Sequence, residues 1–375
     1  MQKDIQGCLT SPLSSLFEKA VKNRVFPGAA VAVSLGGGVD RQRFFGEYGF
    51  FSHDQKNGKP LSGDAFFDLA SLTKPLATAL SVLHLCTLGT LTLDDRLDAL
   101  LEEDISAPQR DISLRHLLCH SSGLASYQPY YTALGKIPLE ERKNALKKMI
   151  LAEPLSYGTG SQALYSDLGF LLLGFIIEQK GKIPLDQYVR KSIFRPLSLH
   201  KTVFFHRLSS GEKLKNCVPT EYCAWRKRTV CGEVHDENAY CLDGVAGHAG
   251  LFGTAAGVLS MLTFLLDAWR QREDPGIFSG EKLRQFLQRQ CIPAASTWAL
   301  GFDTPSEKKS SSGQYFSASS VGHLGFTGTS FWIDPERDLV VILLTNRVHP
   351  HRNNTLIRQF RPLFHDLIIE KLHLT

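Results

Sequence analysis

The sequence predicts an α/β protein of the α+β kind: one antiparallel sheet built from both chain ends and covered by helices, with a mainly helical lobe inserted between them. Three observations predict it. Apolar, β-branched runs bounded by turn residues lie near the two ends, at 29–34 and 41–48 and again at 325–333 and 339–345. Segments with helical spacing fill the middle of the chain. Strands at both ends pair most simply with each other, because a strand must bury its apolar face in a packed layer. The sheet region is then 1–75 with 290–375 and the helical region 76–289, one composite unit with a cleft at the junction.

Each element has its own signal. Residues 12–22 read as an amphipathic helix ending near Asn23, and Gly36-Gly37-Gly38 joins the first two strands as a hairpin. Leu72–Leu88 reads as one helix closed by Gly89, because glycine accepts the left-handed conformation after a helix end. A short helix covers 112–120. Residues 163–180 hold a strongly apolar helix closed by Gly181, and 185–193 another. From about 206 to 250 the chain reads as irregular, which is long for a structureless connection and marks a functional segment or hidden structure. Thr254 is a candidate N-cap for a helix reaching about Arg270. Asp334–Asp338 turns between the last two strands, and a final helix spans about 354–372.

Composition narrows the function classes. The 375 residues are 43% hydrophobic and 21% charged, enough apolar material for a large core. The formal net charge is only +5, and Arg226-Lys227-Arg228 is the one tight basic triplet, so no nucleic-acid partner is expected. The N-terminus lacks an apolar signal-peptide core. The run Leu168–Ile177 is far shorter than the ~20 residues that cross a bilayer. A protein without a membrane span is expected, cytoplasmic as the sequence stands and periplasmic if a leader has been removed. Eight cysteines show no C-x-x-C pair, so reduced thiols are expected, and neither a metal nor another cofactor.

The chemistry-bearing stretch is Asp68-Leu69-Ala70-Ser71-Leu72-Thr73-Lys74-Pro75. On a helix, residues i and i+3 share a face, so Lys74 reaches the Ser71 hydroxyl. Burial disfavours an ammonium and lowers its pKa, which lets the amine take a proton from serine. Pro75 has no N–H, so the Ser71 carbonyl loses its i+4 donor and the first turn loosens. Tyr165 stands just before the apolar helix, where the helix N-terminus and a lysine would ease formation of a phenolate base. In Val321-Gly322-His323-Leu324-Gly325-Phe326, His323 and Gly325 would point the same way from a strand. His323 would then face the cleft, and Gly325 would let substrate approach the backbone closely. The Phe326 N–H would pair with that of Ser71 as an oxyanion hole. His116 and His120, at i and i+4, are read as packing and cleft rim rather than as metal ligands. His235, Asp236 and His248 are candidate cleft residues.

Ser71-x-x-Lys74, Tyr165-Ser166-Asp167 and His323-Leu324-Gly325, in this order, resemble the three motifs of the penicillin-recognising serine hydrolases. The likeness is greatest to the class C β-lactamase-like branch of esterases, D-peptidases and penicillin-binding proteins. It extends through 114–124, 232–255 and 325–346. The resemblance implies that Ser71 is the acylated nucleophile, that Lys74 and Tyr165 are its proton partners, and that Asp167, His323, Gly325 and Phe326 meet the substrate. Two positions depart from the family's β-lactamases, which usually carry asparagine where Asp167 stands and lysine where His323 stands. Asp167 offers no amide hydrogen, and His323 would be a pH-dependent anchor for a carboxylate. The expected function is therefore hydrolysis of a small-molecule ester, amide or peptide through a Ser71 acyl-enzyme, of esterase or D-peptidase type. A β-lactamase or D,D-peptidase and a non-catalytic binding or scaffold protein are the alternatives.

Overall fold

Gly28–Leu35 and Leu339–Thr345 carry apolar residues on both faces, and both are buried almost throughout, so they belong at the centre of a sheet. In the computed structural model, which describes residues 4–54, 58–272 and 276–375, they are the second and third of five antiparallel strands. The order is Gln42–Gly49, Gly28–Leu35, Leu339–Thr345, Ser330–Asp334 and Val321–Leu324. Val31 lies opposite Leu343 and Val33 opposite Val341. These residues face one core, closed by the helices Ile5–Lys22 and Ile357–Lys371, with Phe17 against Phe26, Phe360 and Phe364. Ala30, Ala32, Ile342 and Leu344 face the larger second core, which they share with the helix Ala255–Trp269 and the helical lobe. The class and the pairing of the chain ends are those expected.

Several elements differ from the sequence reading; the helix expected at 163–180 and closed by Gly181 runs Asp167–Gly181, with Lys182 at φ +57 as its left-handed cap. The first helix begins at Ile5, not near 12. Pro12 removes one donor but leaves the buried stripe Leu9, Leu13 and Phe17 unbroken, and packing carries the helix through. The expected helix 72–88 is three pieces: a 3-10 turn at Ala70–Leu72, a π-helical stretch at Lys74–Ala79 and an α-helix at Leu80–Thr87. Pro75, which has no N–H to give, starts the wide stretch. The expected strand 325–333 is a hairpin, Val321–Leu324 and Ser330–Asp334, with Gly325–Thr329 as its turn. Residues 206–250 hold a small hairpin (Tyr222–Cys223 with Arg228–Thr229) and a helical turn at Glu237–Cys241. Beyond them, Leu251–Gly253 pairs with both Phe67–Asp68 and Val203–Phe205 in a second sheet.

That second sheet positions the site, because Phe67–Asp68 delivers the chain directly into the turn at Ser71. Among the described residues no helix is long and apolar enough to cross a membrane.

Candidate active site

Asp68 sets the turn. Its buried carboxylate accepts the Ala70 amide at 2.8 Å and the His235 amide at 2.6 Å. It thus holds Ala70 at φ +49, a left-handed conformation costing about 1 kcal/mol for a residue with a Cβ. Burial pushes the Asp68 carboxyl upward in pKa, opposed by these hydrogen bonds. Ser71 follows at once. Lys74, fully buried, reaches back to Ser71 Oγ at 3.0 Å, as the i, i+3 spacing requires. Its Nζ also donates to the His248 carbonyl at 3.1 Å and lies 2.7 Å from the Asp167 carboxylate. The His248 loop comes this close because Gly247 has no side chain: a Cβ there would lie 2.0 Å from the Phe170 carbonyl oxygen.

The charge states differ from the sequence expectation. Burial does push Lys74 toward the neutral amine, but Asp167 and Tyr165 outweigh it and the net shift is upward. Lys74 therefore rests as an ammonium. Tyr165 rests as a phenol, because burial raises its pKa more than Lys74 and its hydrogen bonds lower it. Asp167, assigned to substrate contact from the sequence, is the counter-ion of Lys74 at the start of the helix Asp167–Gly181, whose N-cap is Ser166. It still lines the cavity beside Ser71.

Tyr165 is fixed by a residue the sequence reading treated as cleft rim. His120 Nδ1 accepts the Ser166 amide at 3.0 Å, and its ring lies 4.6 Å from that of Tyr165 and 4.4 Å from Trp298. His116 packs instead against Ser113, whose hydroxyl and amide meet its Nδ1 as a capping box.

His323 does line the cleft with Ser71 and Tyr165, but it is not an anchor charged near neutrality. Burial, with Lys74 nearby, lowers its pKa to about 3, so the imidazole is neutral. Its Nδ1 faces the Leu324 carbonyl at 2.9 Å. Gly325 lies beyond the strand end, and the close approach there is the chain's own. A Cβ on Gly325 would meet Thr329 Oγ1 at 1.9 Å and the Leu69 carbonyl oxygen at 2.8 Å. The Gly325 carbonyl and that of Thr329 both accept from the buried Arg361 guanidinium, at 3.0 and 2.8 Å, which braces the turn presenting Phe326. The amides of Ser71 and Phe326 donate to no acceptor among the described residues, an arrangement that suits the oxyanion hole expected from the sequence.

Two arms leave Ser71. One, of about 310 Å3, is lined by Tyr127, Asp167, His235, Asp236, Glu237, His248 and Arg352, so the candidates His235, Asp236 and His248 all reach the cleft. The other, of about 600 Å3, is lined by Trp298, Asp303, His323, Arg347, Arg358 and Arg361. The arginines there were not singled out from the sequence. Arg347 donates to the Phe326, Arg352 and Asn354 carbonyls, and Arg361 to those of Gly325 and Thr329, all main chain. Burial lowers Arg361 to about 9 and Arg347 to about 10, with neighbouring arginines adding to it. Asp167, Asp236 and His248 are the described residues whose donor atoms come within a metal's reach, 4.8 Å of one another. The Lys74 ammonium already stands against that set.

A family model described as Beta-lactamase matches residues 13–363. A relative from Bacillus subtilis (strain 168), named N-acetylmuramyl-L-alanine amidase, is 32% identical over 350 residues, covering 86% of this chain and 78% of its own. One from Escherichia coli (strain K12), named putative D-alanyl-D-alanine carboxypeptidase, is 33% identical over 304 residues, covering 76% and 69%. The solved structure of EstCE1, a hydrolase with promiscuous acyltransferase activity, superimposes with TM-score 0.72 at 21% identity, covering 96% of this chain and all of its own. The chain belongs to the Beta-lactamase family and is a serine hydrolase of ester or amide bonds.

Proposed function

We propose that the protein cleaves an amide through an acyl-enzyme on Ser71, and that the departing amine carries a carboxylate. The observation that carries the reading is a serine hydroxyl 3.0 Å from a buried lysine, at the foot of an arm whose buried arginines donate only to main-chain carbonyls. Once the Lys74–Tyr165 network has shed a proton, it takes the Ser71 proton as Oγ bonds to the substrate carbonyl carbon. The Ser71 and Phe326 amides hold the resulting oxyanion. As the C–N bond breaks, the network returns the proton to the leaving amine, and water then cleaves the Ser71 ester. The names of the two relatives both describe an amide whose amine belongs to an alanine. An amino acid or short peptide leaving through the arginine arm fits them, and the D,D-peptidase alternative makes the same demand.

A fluorophosphonate tests the nucleophile. One adduct by intact mass, mapped to Ser71 and lost in Ser71→Ala, is expected; an adduct that persists in the variant overturns the assignment.

The arginine arm also sets a pH dependence. Its acid, Asp303, accepts from the Thr297 hydroxyl at 2.7 Å and the Thr304 amide at 2.9 Å, and burial raises it to about 6. As pH falls through 6, Asp303 loses its charge and the arm becomes more cationic. The kcat/KM ratio of matched esters with and without a leaving-group carboxylate should rise severalfold, on the order of 1 kcal/mol. Asp303→Asn should flatten this rise and His323→Gln should not, since His323 stays neutral until about pH 3. A rise removed by His323→Gln would reinstate the histidine as the anchor.

A further inference from the structure

The arm that holds the arginines contains a polar atom that nothing satisfies. His323 is 2% exposed and lines this arm with Ser71 and Tyr165, yet its Nε2 has no hydrogen-bond partner among the described residues. Buried polar atoms are nearly always paired, so an exception in a cleft wall marks a place for a ligand group. His120 Nε2 is unpartnered too, but His120 lines neither arm.

The tautomer of the ring says what that group must be. Nδ1 lies 2.9 Å from the Leu324 carbonyl oxygen, which can only accept, so Nδ1 carries the hydrogen. Burial keeps the imidazole neutral, which leaves Nε2 a bare lone pair that can only accept. A carboxylate has nothing to give it. Lys74 has nothing left to give: its three hydrogens face Ser71 Oγ, the His248 carbonyl and Asp167. The donor must therefore come from the substrate. The His323 ring stands 6.0 Å from that of Tyr165 and 5.8 Å from that of Trp298. A group leaving Ser71 for the arginines passes between Tyr165 and His323, and its first atom is the one bonded to the acyl carbon. In a secondary amide that atom is a nitrogen with one hydrogen.

We infer that His323 Nε2 accepts the N–H of the scissile amide and so selects secondary amides over esters and tertiary amides. The inference deepens the reading of Ser71 as the nucleophile of an amide hydrolase and rests on it. Amide cleavage gives the contact a purpose. When Oγ bonds to the acyl carbon, the nitrogen becomes pyramidal, and its lone pair has to face the Lys74–Tyr165 network that supplies a proton as the C–N bond breaks. The hydrogen already on nitrogen then points the other way, and His323 holds it there. That hydrogen stays on nitrogen throughout, so Nε2 orients the leaving group and takes no proton. An ester oxygen has no hydrogen, and neither has the nitrogen of a tertiary amide or of a β-lactam, so none of these gains from His323.

The test compares N-benzoylglycyl-glycine with N-benzoylglycyl-glycolic acid, which both release a carboxylate and differ only in N–H against O at the cleaved bond. The amide-to-ester ratio of kcat/KM should fall about tenfold in His323→Phe, the scale of one hydrogen bond. His323→Gln keeps an acceptor oxygen and should lower the ratio less. A loss shared equally by amide and ester leaves the ratio unmoved and overturns the contact. Calorimetric titration of Ser71→Ala reads the contact without chemistry and in an intact His323 environment. That protein should bind the amide about tenfold more tightly than the ester, a preference removed in Ser71→Ala/His323→Phe. If the wild type cleaves the ester but not the amide, or neither, the amide-hydrolase reading fails and this titration decides the contact alone. Equal affinity of Ser71→Ala for the two compounds overturns it.

Discussion

Lys74→Ala and Tyr165→Phe should each lower kcat/KM for a neutral ester by about 1000-fold, and the double variant should lose little more. The non-additivity follows from the geometry. Lys74 Nζ contacts Ser71 Oγ and lies 4.7 Å from the centroid of the Tyr165 ring, and Lys74 and Ser71 both act to lower the pKa of the Tyr165 hydroxyl against its burial. One proton is held among three groups, so deleting either partner breaks the same path. Buried Lys74 has a second role: without it, Asp167 loses its counter-ion, so Lys74→Ala should also lower stability where Tyr165→Phe does not. Urea unfolding separates the two effects. Losses that multiply in the double variant would mean that lysine and tyrosine act in separate steps.

Much of this site is legible in the sequence because it is local. Ser71 and Lys74 lie one turn apart, and a helix start in apolar surroundings is enough to place them together. Tyr165 and His323 could be placed only through the order of the three motifs. What was not legible depends on distances between segments far apart in sequence. Whether a buried lysine is neutral or charged turns on a carboxylate 2.7 Å away, and Asp167 follows Tyr165 without announcing which way it points. The arginine arm was hidden for another reason. Arg358 and Arg361 share a face of the last helix, which reads as a solvated face, yet Arg361 is 6% exposed and braces the Gly325–Thr329 turn. Asp68 did carry a signal: an acid inside the apolar run Phe66-Phe67-Asp68-Leu69-Ala70 has to be hydrogen-bonded if the run is buried.

The fold shows the same division. Both central strands were visible because they are continuous apolar runs. The split of 72–88 into 3-10, π and α segments was not, since propensity describes one helix and only Pro75 hints at the break. The hairpin turn Gly325–Thr329 was read as strand because it runs directly into the apolar strand Ser330–Asp334. Arg361 holds the carbonyls that make it a turn.

Asp167→Asn should shift the pH profile more than any other single change. In the wild type the network is fully protonated near neutrality, as Lys74 ammonium and Tyr165 phenol, both with raised pKa. In the proposed mechanism acylation requires it to lose one proton, so kcat/KM for a neutral ester should climb with pH across 6–8, with unit slope in the logarithm. Asparagine keeps the shape and an acceptor oxygen but removes the charge. With its largest stabiliser gone, the buried ammonium is governed by desolvation, and the rising limb should move down by roughly 1–3 pH units. At pH 6 the variant should then run closer to its own plateau than the wild type does to its own. Stability should move the other way. A lysine whose folded pKa lies above its unfolded value adds stability below about 10.5, lost as pH rises through the folded value. Asp167→Asn removes that contribution at neutral pH, a loss of about 3 kcal/mol if the pair behaves as a buried one. A neutral ester excludes Asp303 from the readout, because it brings no carboxylate to the arginine arm. A limb that stays in place in Asp167→Asn would show that the group titrating in catalysis is not Lys74.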